Sequence, residues 1–388
     1  MGFLCIGLLA SLLITASGFA HLGARRHMSW LSMGGGLITS NFESLADDEA
    51  PDAFGRAVDV LPKTSSSINF GEKDINIKHD LWVVGCGTMG EFLVQQCKSQ
   101  YPDSQVVAET LTTNRQARIE AVGAQHKLRE SRDESDDGTA RTVIICLPPS
   151  LMQQAEYVEE LFKATRLWAG PEGGGNLVYT SSLAVYGPSD GNTVTEAFRV
   201  DTRSSRSTML LTAEESIMSR GGNVIRLAGL YTKDRGPHTF WMKKSGRGET
   251  IDSNADGLVN MLHYEDAAAA TLAVALSTGF SKKIFLACDN EVTTREEICE
   301  SAVASGLFPG SPMPAFASES GAPGKICDCS VSRGLLNWQP VYTSFRVYMR
   351  RLGGEDVPDV ENSDGQEPQE EKSLLWIPGG DDDDLVGF

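Results

Sequence analysis

The chain is 388 residues long, with 52 acids against 34 bases and a net charge of -18. A balance this acidic argues against nucleic acid as a partner, because neutralising phosphates needs clustered Lys and Arg. Apolar residues make up 41% and charged ones 22%, ordinary for a globular protein with a large core, and beyond the N-terminus no apolar run approaches the roughly 18 residues of a membrane span.

The two ends read differently from the middle. Residues 1–18 hold an apolar stretch from Phe3 to Ile14, then Ala16 and Gly18 spaced as a small-x-small cleavage site before Phe19. That is the pattern of a secretory signal peptide, with a short anchor as the alternative. From Phe19 to Phe42 there is no acid, but His21, Arg25, Arg26 and His27 occur among Ser and Gly, which is transit-peptide composition. A signal, a Phe (Ala16–Phe19 reads ASGF) and a transit-like stretch resemble the two-part address of proteins imported into the complex plastids of algae. Chloroplast import is therefore expected, with plain secretion as the alternative. Segment 43–75 reads as a linker. Removing Cys5 leaves seven cysteines, an odd number that argues against a secreted disulfide framework. No CxxC spacing exists, so no metal site is expected. Cys327 and Cys329 read as two exposed or half-buried thiols, with a redox pair as the alternative. At the far end, 353–388 carries twelve acids and one base, Lys372, and reads as a disordered acidic tail ending in Asp381–Asp384. Within it the apolar Ser373–Pro378 is out of character.

Between the ends, strand and helix patterns alternate. Asp80–Val84 is a short apolar run, a buried strand, and it meets the turn Gly85-Cys86-Gly87-Thr88-Met89-Gly90 at once. Helix is expected over Glu91–Lys98 and strand over Gln105–Ala108. A strand over Thr142–Leu147 stops at Pro148-Pro149, and helix runs from Leu151 to Trp168. Further strands are expected at Leu177–Thr180, Val224–Leu227 and Ile284–Ala287. Further helices are expected at Arg206–Ser219, Asp266–Leu276 and Thr294–Ala304. Strands separated by helices at this spacing predict an α/β fold with a doubly wound parallel sheet.

The glycine turn carries the first chemistry. It follows a strand and opens a helix, the context in which GxGxxG holds a dinucleotide. Gly85 permits the tight turn, Gly87 lets the backbone approach a pyrophosphate, and Gly90 lets helix and strand pack closely. Thr88 and Met89 complete the loop, and the helix N-terminus offers N–H groups to phosphate. Leu147 and Pro148, at the end of another strand, are assigned to the same cofactor. Glu109, 19 residues after Gly90, is placed to accept from adenosine ribose hydroxyls, which favours NAD. Arg115 is placed to hold a 2'-phosphate, which keeps NADP open.

Later motifs point to a family. Tyr179–Gly187 (YTSSLAVYG) resembles the SSxxVYG signature of extended short-chain dehydrogenases/reductases, the NAD-dependent epimerase/dehydratase family. Arg226–Tyr231 with Arg235-Gly236-Pro237 resembles its RxxGxYGPxR segment. Asn260–Ala267 resembles its N-x-I-H-V-x-D-x-A element. Gly324-Lys325, Leu336–Pro340, Tyr342 and Ser344 resemble its C-terminal ending. The likeness covers about 78–350. It implies an NAD(P)-binding Rossmann domain within 76–352, with a small substrate lobe mainly over 230–350. It implies substrate contacts from Arg226, Tyr231, Arg235, Asn260 and His263, and NAD or NADP with a small-molecule substrate as the ligands. Lys243, Lys244 and Arg247 flank the same region, either receiving an anionic substrate or forming a solvated basic loop.

The catalytic residues are where the chain departs. The family pairs a Ser or Thr hydroxyl with a Tyr and a Lys four residues later. Ser182 matches the hydroxyl. The region expected to hold the Tyr reads DTRSSRSTML (Asp201–Leu210), with Arg206 and Leu210 at the YxxxK spacing, and no Tyr in the chain has Lys four residues on. Arg206 stays protonated near neutrality and cannot serve as a base. Tyr186, His238 and His263 remain as proton carriers, Tyr186 being assigned with Ser182. The reading is either an oxidoreductase-type enzyme with non-standard groups or a dinucleotide-binding sensor or scaffold without turnover.

Overall fold

The computed structural model describes residues 76–149, 154–318, 321 and 323–358. The signal and transit-like segments, the linker up to Ile75, Cys5 and the acidic tail from Asp359 onward lie outside the described residues.

The elements run β1 (His79–Val84), α1 (Thr88–Gln100), β2 (Val106–Thr110), α2 (Gln116–Ala121), β3 (Gln125–Leu128), β4 (Ala140–Ile145), α3 (Gln154–Arg166), β5 (Leu177–Ser182), β6 (Thr193–Val194), α4 (Ser205–Ser219), β7 (Asn223–Leu227), β8 (Gly229–Tyr231), α5 (Pro237–Gly246), β9 (Ile251–Asn254) and β10 (Leu258–His263). They continue with α6 (Tyr264–Leu276), β11 (Ile284–Ala287), β12 (Val292–Thr294), α7 (Arg295–Ala304), β13 (Phe316–Ser318), β14 (Ile326–Cys327), α8 (Ser330–Leu336) and α9 (Phe345–Leu352). Among the described residues no helix is long and apolar enough to cross a membrane.

Seven strands make one sheet in the order β11-β7-β5-β4-β1-β2-β3, and every pairing in it is parallel. Parallel strands need helical crossovers that cover both faces, which is why β1, β4, β5 and β7 are mostly buried and carry adjacent rather than alternating apolar residues. Helices α1 and α6 pack together on one face, and α3 and α4 on the other. Helix α6 is nearly all buried, its core lined by Ala267, Ala268, Ala270 and Ala275, whose small side chains allow close approach to both α1 and the sheet. Strand order reverses between β1 and β4, the point at which sheets of this kind open a ligand crevice at their C-terminal edge.

The rest of the chain builds a second apolar cluster. Tyr231, Trp241, Met242, Ile251, Met261, Ile298, Phe345 and Met349 pack together apart from the sheet's core. The stretch 230–350 is nevertheless not one packing unit. Helix α6, strand β11 and the residues Cys327, Cys329, Leu336 and Trp338 belong to the core around the large sheet.

One expectation is overturned here. Cys327 and Cys329, expected at or near the surface, are 9% and 3% exposed. The pairing of β14 with β6 and the seating of α8 on the sheet core draw that segment inward.

Candidate functional site

The glycine turn sits at the strand-order reversal. Gly85 ends β1 at φ +80°, and a Cβ there would lie 2.8 Å from Leu147 Cδ2 and 3.1 Å from the Cys146 carbonyl oxygen. Both neighbours come from the end of β4, so the sequence-assigned Leu147 stands beside the turn. Only glycine meets both the backbone angle and the space. Gly87 then caps α1 in extended backbone, and no side chain caps that N-terminus. A Cβ on Gly90 would lie 3.1 Å from Cys86 Cβ and 3.2 Å from Val83 Cγ1, which fixes how closely α1 leaves the sheet. The Cys86 N–H donates to the Glu109 carbonyl oxygen at 2.7 Å, pinning the turn to the end of β2. Thr88 is half-buried, Met89 buried and Pro148 exposed.

The charged residues near the turn are committed to one another. The Glu109 carboxylate is fully buried and lies 3.3 Å from Arg132 Nη1 and 3.5 Å from Arg129 Nε. Burial raises its pKa, and the two arginines oppose that. Arg132 also pairs with Glu160 of α3. An open cavity of about 420 Å³ adjoins this cluster, lined by Leu111, Arg129, Glu130, Arg132, Glu160 and Lys163. Arg115 Nη1 binds Glu91 at 2.8 Å, and Arg118 binds the other oxygen of Glu91 at 2.9 Å. Sequence reasoning missed Arg129 and Arg132 because they follow β3, an edge strand (QHKL) with no apolar signal.

At the end of β5 the Ser182 hydroxyl accepts from the Ala184 N–H at 3.1 Å and caps a short turn, Leu183–Tyr186. Tyr186 is 2% exposed. Its hydroxyl donates to the Thr195 carbonyl oxygen at 2.9 Å and accepts from Arg226 Nη1 at 2.7 Å. Burial raises its pKa, with Arg226 pulling the other way. Arg226 in turn binds Glu214 of α4 through two nitrogens, at 3.0 and 2.6 Å, and Ser181 Oγ donates to the same carboxylate at 2.6 Å. Arg226, assigned to substrate, is thus 3% exposed and fully engaged inside the protein. On α4, Arg206 is exposed and Leu210 buried, while Ser207 Oγ reaches the Ala184 carbonyl oxygen at 3.1 Å.

The remaining assigned residues are largely internal. Tyr231 is fully buried, and burial drives its pKa well up. Its ring lies 5.3 Å from that of His263. His263 Nδ1 accepts from the Glu265 N–H at 3.3 Å, capping α6, and burial pulls its pKa down to about 3. His238 is fully buried, and burial brings it down to about 4. Two imidazoles this depressed are neutral at physiological pH. Asn260 clamps another segment: its amide donates to the Lys325 carbonyl oxygen at 3.0 Å and its oxygen accepts from the Cys327 N–H at 2.8 Å. Arg235 Nε donates to the Tyr264 hydroxyl at 3.3 Å. Lys243 and Arg247 are exposed near the end of α5 and Lys244 is half-buried.

That clamp delivers a residue to which sequence reading gave no role. Lys325 is half-buried, and its Nζ donates to the Leu183 carbonyl oxygen at 2.9 Å, one residue beyond Ser182. Burial lowers its pKa to about 8, against the nearby Cys327 and Asp201. The Gly324-Lys325 pair was visible in the sequence, but the sequence does not show that it returns to the end of β5.

No protein-family model matches the sequence, and no characterised protein matches it by sequence. Solved structures do match the fold. A conserved protein of unknown function from Silicibacter pomeroyi is 21% identical, with a TM-score of 0.56 over 71% of this chain and 98% of its own. MoeE5, solved in complex with UDP-glucose and NAD, is 18% identical, with a TM-score of 0.58 over 71% and 97%. The dTDP-glucose 4,6-dehydratase of Bacillus anthracis, solved with NAD, is 14% identical, with a TM-score of 0.57 over 71% and 96%. The chain therefore has the Rossmann-type fold of the NAD-dependent epimerases and dehydratases.

Proposed function

We propose that this chain binds NAD or NADP at the turn 85–90 and is an epimerase/dehydratase-type protein acting on a small, sugar-type substrate at the end of β5. The observation that carries this is the cradle at Gly85, where positive φ, the Leu147 side chain and the Cys146 carbonyl leave no room for a Cβ beside an N-terminus that no side chain caps. Main-chain N–H groups so arranged suit a pyrophosphate. Glu109 is paired with Arg129 and Arg132, and Arg115 with Glu91, so neither selects between NAD and NADP here. When bound, the dinucleotide supplies hydride chemistry. The chain's own part is to hold a substrate oxygen at the Ser182 hydroxyl and to move a proton at Lys325 Nζ, an amine whose pKa of about 8 suits that task.

A second reading, a dinucleotide-binding sensor or scaffold without turnover, is favoured by Tyr186. Both functions of its hydroxyl are already taken by Arg226 and Thr195. One experiment separates the readings. The full-length protein is titrated with NADH and NADPH by nicotinamide fluorescence, then supplied with nucleotide-sugar substrates. Saturable binding with turnover that fails in Ser182→Ala supports the enzyme. Binding without turnover, unchanged in Ser182→Ala, supports the sensor. No saturable signal with either nucleotide overturns both.

Residues 1–42 we read as a two-part plastid address, followed by a linker up to residue 75. A fluorescent protein fused behind them should enter the plastid of an alga with complex plastids, and appearance in the medium would favour secretion.

A further inference from the structure

We propose that Cys288 and Cys329 form a peroxide-responsive dithiol that closes to a disulfide, joining the end of β11 to the turn before α8. Their sulfurs lie 3.3 Å apart, against about 2.05 Å for a bonded pair. Cys327 completes the group, its carbonyl oxygen 3.6 Å from Cys288 Sγ. All three are free thiols in this structure.

The approach of the two sulfurs is held by the frame around them. Cys288 follows β11, which pairs with β7, and the Ala228 N–H donates to the Ala287 carbonyl oxygen at 3.0 Å. Arg333 Nη2 then grips the carbonyl oxygens of Cys288 at 2.8 Å and Asp289 at 3.1 Å. On the other side, Asn260 holds the Cys327 N–H and the Val194 carbonyl oxygen accepts from the Asp328 N–H at 3.0 Å. Two independently anchored segments thus bring together thiols 41 residues apart in sequence. Within the group we assign the attack to Cys329, whose sulfur faces Cys288 Sγ directly. Its thiol is lowered, first through its hydrogen bonds with the Cys288 and Cys327 thiols, with burial opposing and the Arg333 charge adding to the fall. Cys288 is shifted the opposite way.

The step balances with hydrogen peroxide as oxidant, a molecule small enough for sites only 3–9% exposed. The Cys329 thiolate attacks one peroxide oxygen, the O–O bond breaks, hydroxide leaves and Cys329 becomes a sulfenic acid. Cys288 sulfur then attacks Cys329 Sγ, the S–O bond breaks, and the departing hydroxide takes the Cys288 proton as water. Two thiols lose two electrons and two protons, and one peroxide becomes two waters. The bond would tie down the strip 325–329. Lys325, at the head of that strip, reaches the end of β5, so oxidation of the dithiol bears on the candidate site.

The test uses the reduced full-length protein, treated with hydrogen peroxide, then unfolded, alkylated and mapped by tandem mass spectrometry. The expected product joins Cys288 to Cys329, is two hydrogens lighter, and reverts with dithiothreitol. It should vanish in Cys288→Ser and Cys329→Ser and persist in Cys327→Ser. Its thermal midpoint should lie roughly 5 °C or more above that of the reduced protein. Full alkylation of Cys288 and Cys329 after peroxide, or a link between Cys327 and Cys329, would overturn the proposal. The wild-type map decides this even if a serine variant fails to fold.

Discussion

Arg226 holds Tyr186 in two ways: Nη1 donates to the hydroxyl at 2.7 Å while Cζ lies 4.9 Å from the ring centroid. The other edge of the same guanidinium is locked on Glu214. Strand β7, helix α4 and the turn after β5 are therefore fastened at one buried point.

Removing one partner strands a charge in the core. Glu214→Gln and Arg226→Met should each destabilise the protein by about 3–5 kcal/mol, read from denaturant midpoints. Tyr186→Phe leaves the Arg226 donor short of an acceptor and should cost about 1–3 kcal/mol. Dinucleotide affinity should hardly change in the folded fraction. Lost affinity with unchanged stability would put Tyr186 in the binding site instead of the frame.

Gly85 and Gly138 both have positive φ, but only Gly85 has its Cβ space filled. Gly138→Ala should cost about 1–2 kcal/mol of backbone strain and spare nucleotide binding. Gly85→Ala should add about 1–3 kcal/mol of overlap and abolish fluorescence enhancement of NADH. Equal affinities in the two variants would remove the turn from the site.

His263 has a folded pKa of about 3 against 6.5 for a free imidazole. Below pH 6.5 the unfolded chain takes a proton that the folded chain refuses, so stability is lost as pH falls from 6.5 toward 3. His263→Asn keeps an acceptor for the Glu265 N–H and cannot titrate. Urea midpoints between pH 6 and 4 should then fall less steeply, by about 1.4 kcal/mol per pH unit. His238 adds a second such proton. Asp266, raised to about 7 by burial, acts in the opposite sense, its contribution being lost as pH rises from 3.8 through 7. A variant with the wild-type slope would contradict the burial of a neutral His263.

Lys325 tests the enzyme reading. Lys325→Arg keeps a cation but not one that releases a proton near pH 8. Turnover should fall about 10²–10⁴-fold with nucleotide binding retained, and any limb near pH 8 in the wild-type rate profile should disappear. Undiminished turnover in the Arg variant would leave the amine a mere hydrogen bond to Leu183.

The large sheet was legible because six of its seven strands are short, mainly apolar runs, and buried parallel strands have no solvent-facing polar face to disguise them. The glycine turn was legible because its spacing is local. Strand β3 escaped notice because QHKL lies at the sheet edge, half-buried to exposed. Arg226 read as a substrate contact because its motif places it at the end of a strand, β7. Its partner Glu214 is chosen by how α4 lies across β7, and the sequence leaves that unstated. The meetings of Lys325 with Leu183 and of Cys329 with Cys288 depend on chain return over long separations.

Helix α6 has a mechanical consequence. Gln96 of α1 donates to the Glu265 carbonyl oxygen at 2.9 Å, at the first turn of that alanine-lined rod. The seat of α1, and with it the height of the turn at its N-terminus, is thereby gauged by methyl groups. A bulkier residue at an alanine of that rod that meets α1 would shift this seat and, with it, the glycine turn at the N-terminus of α1.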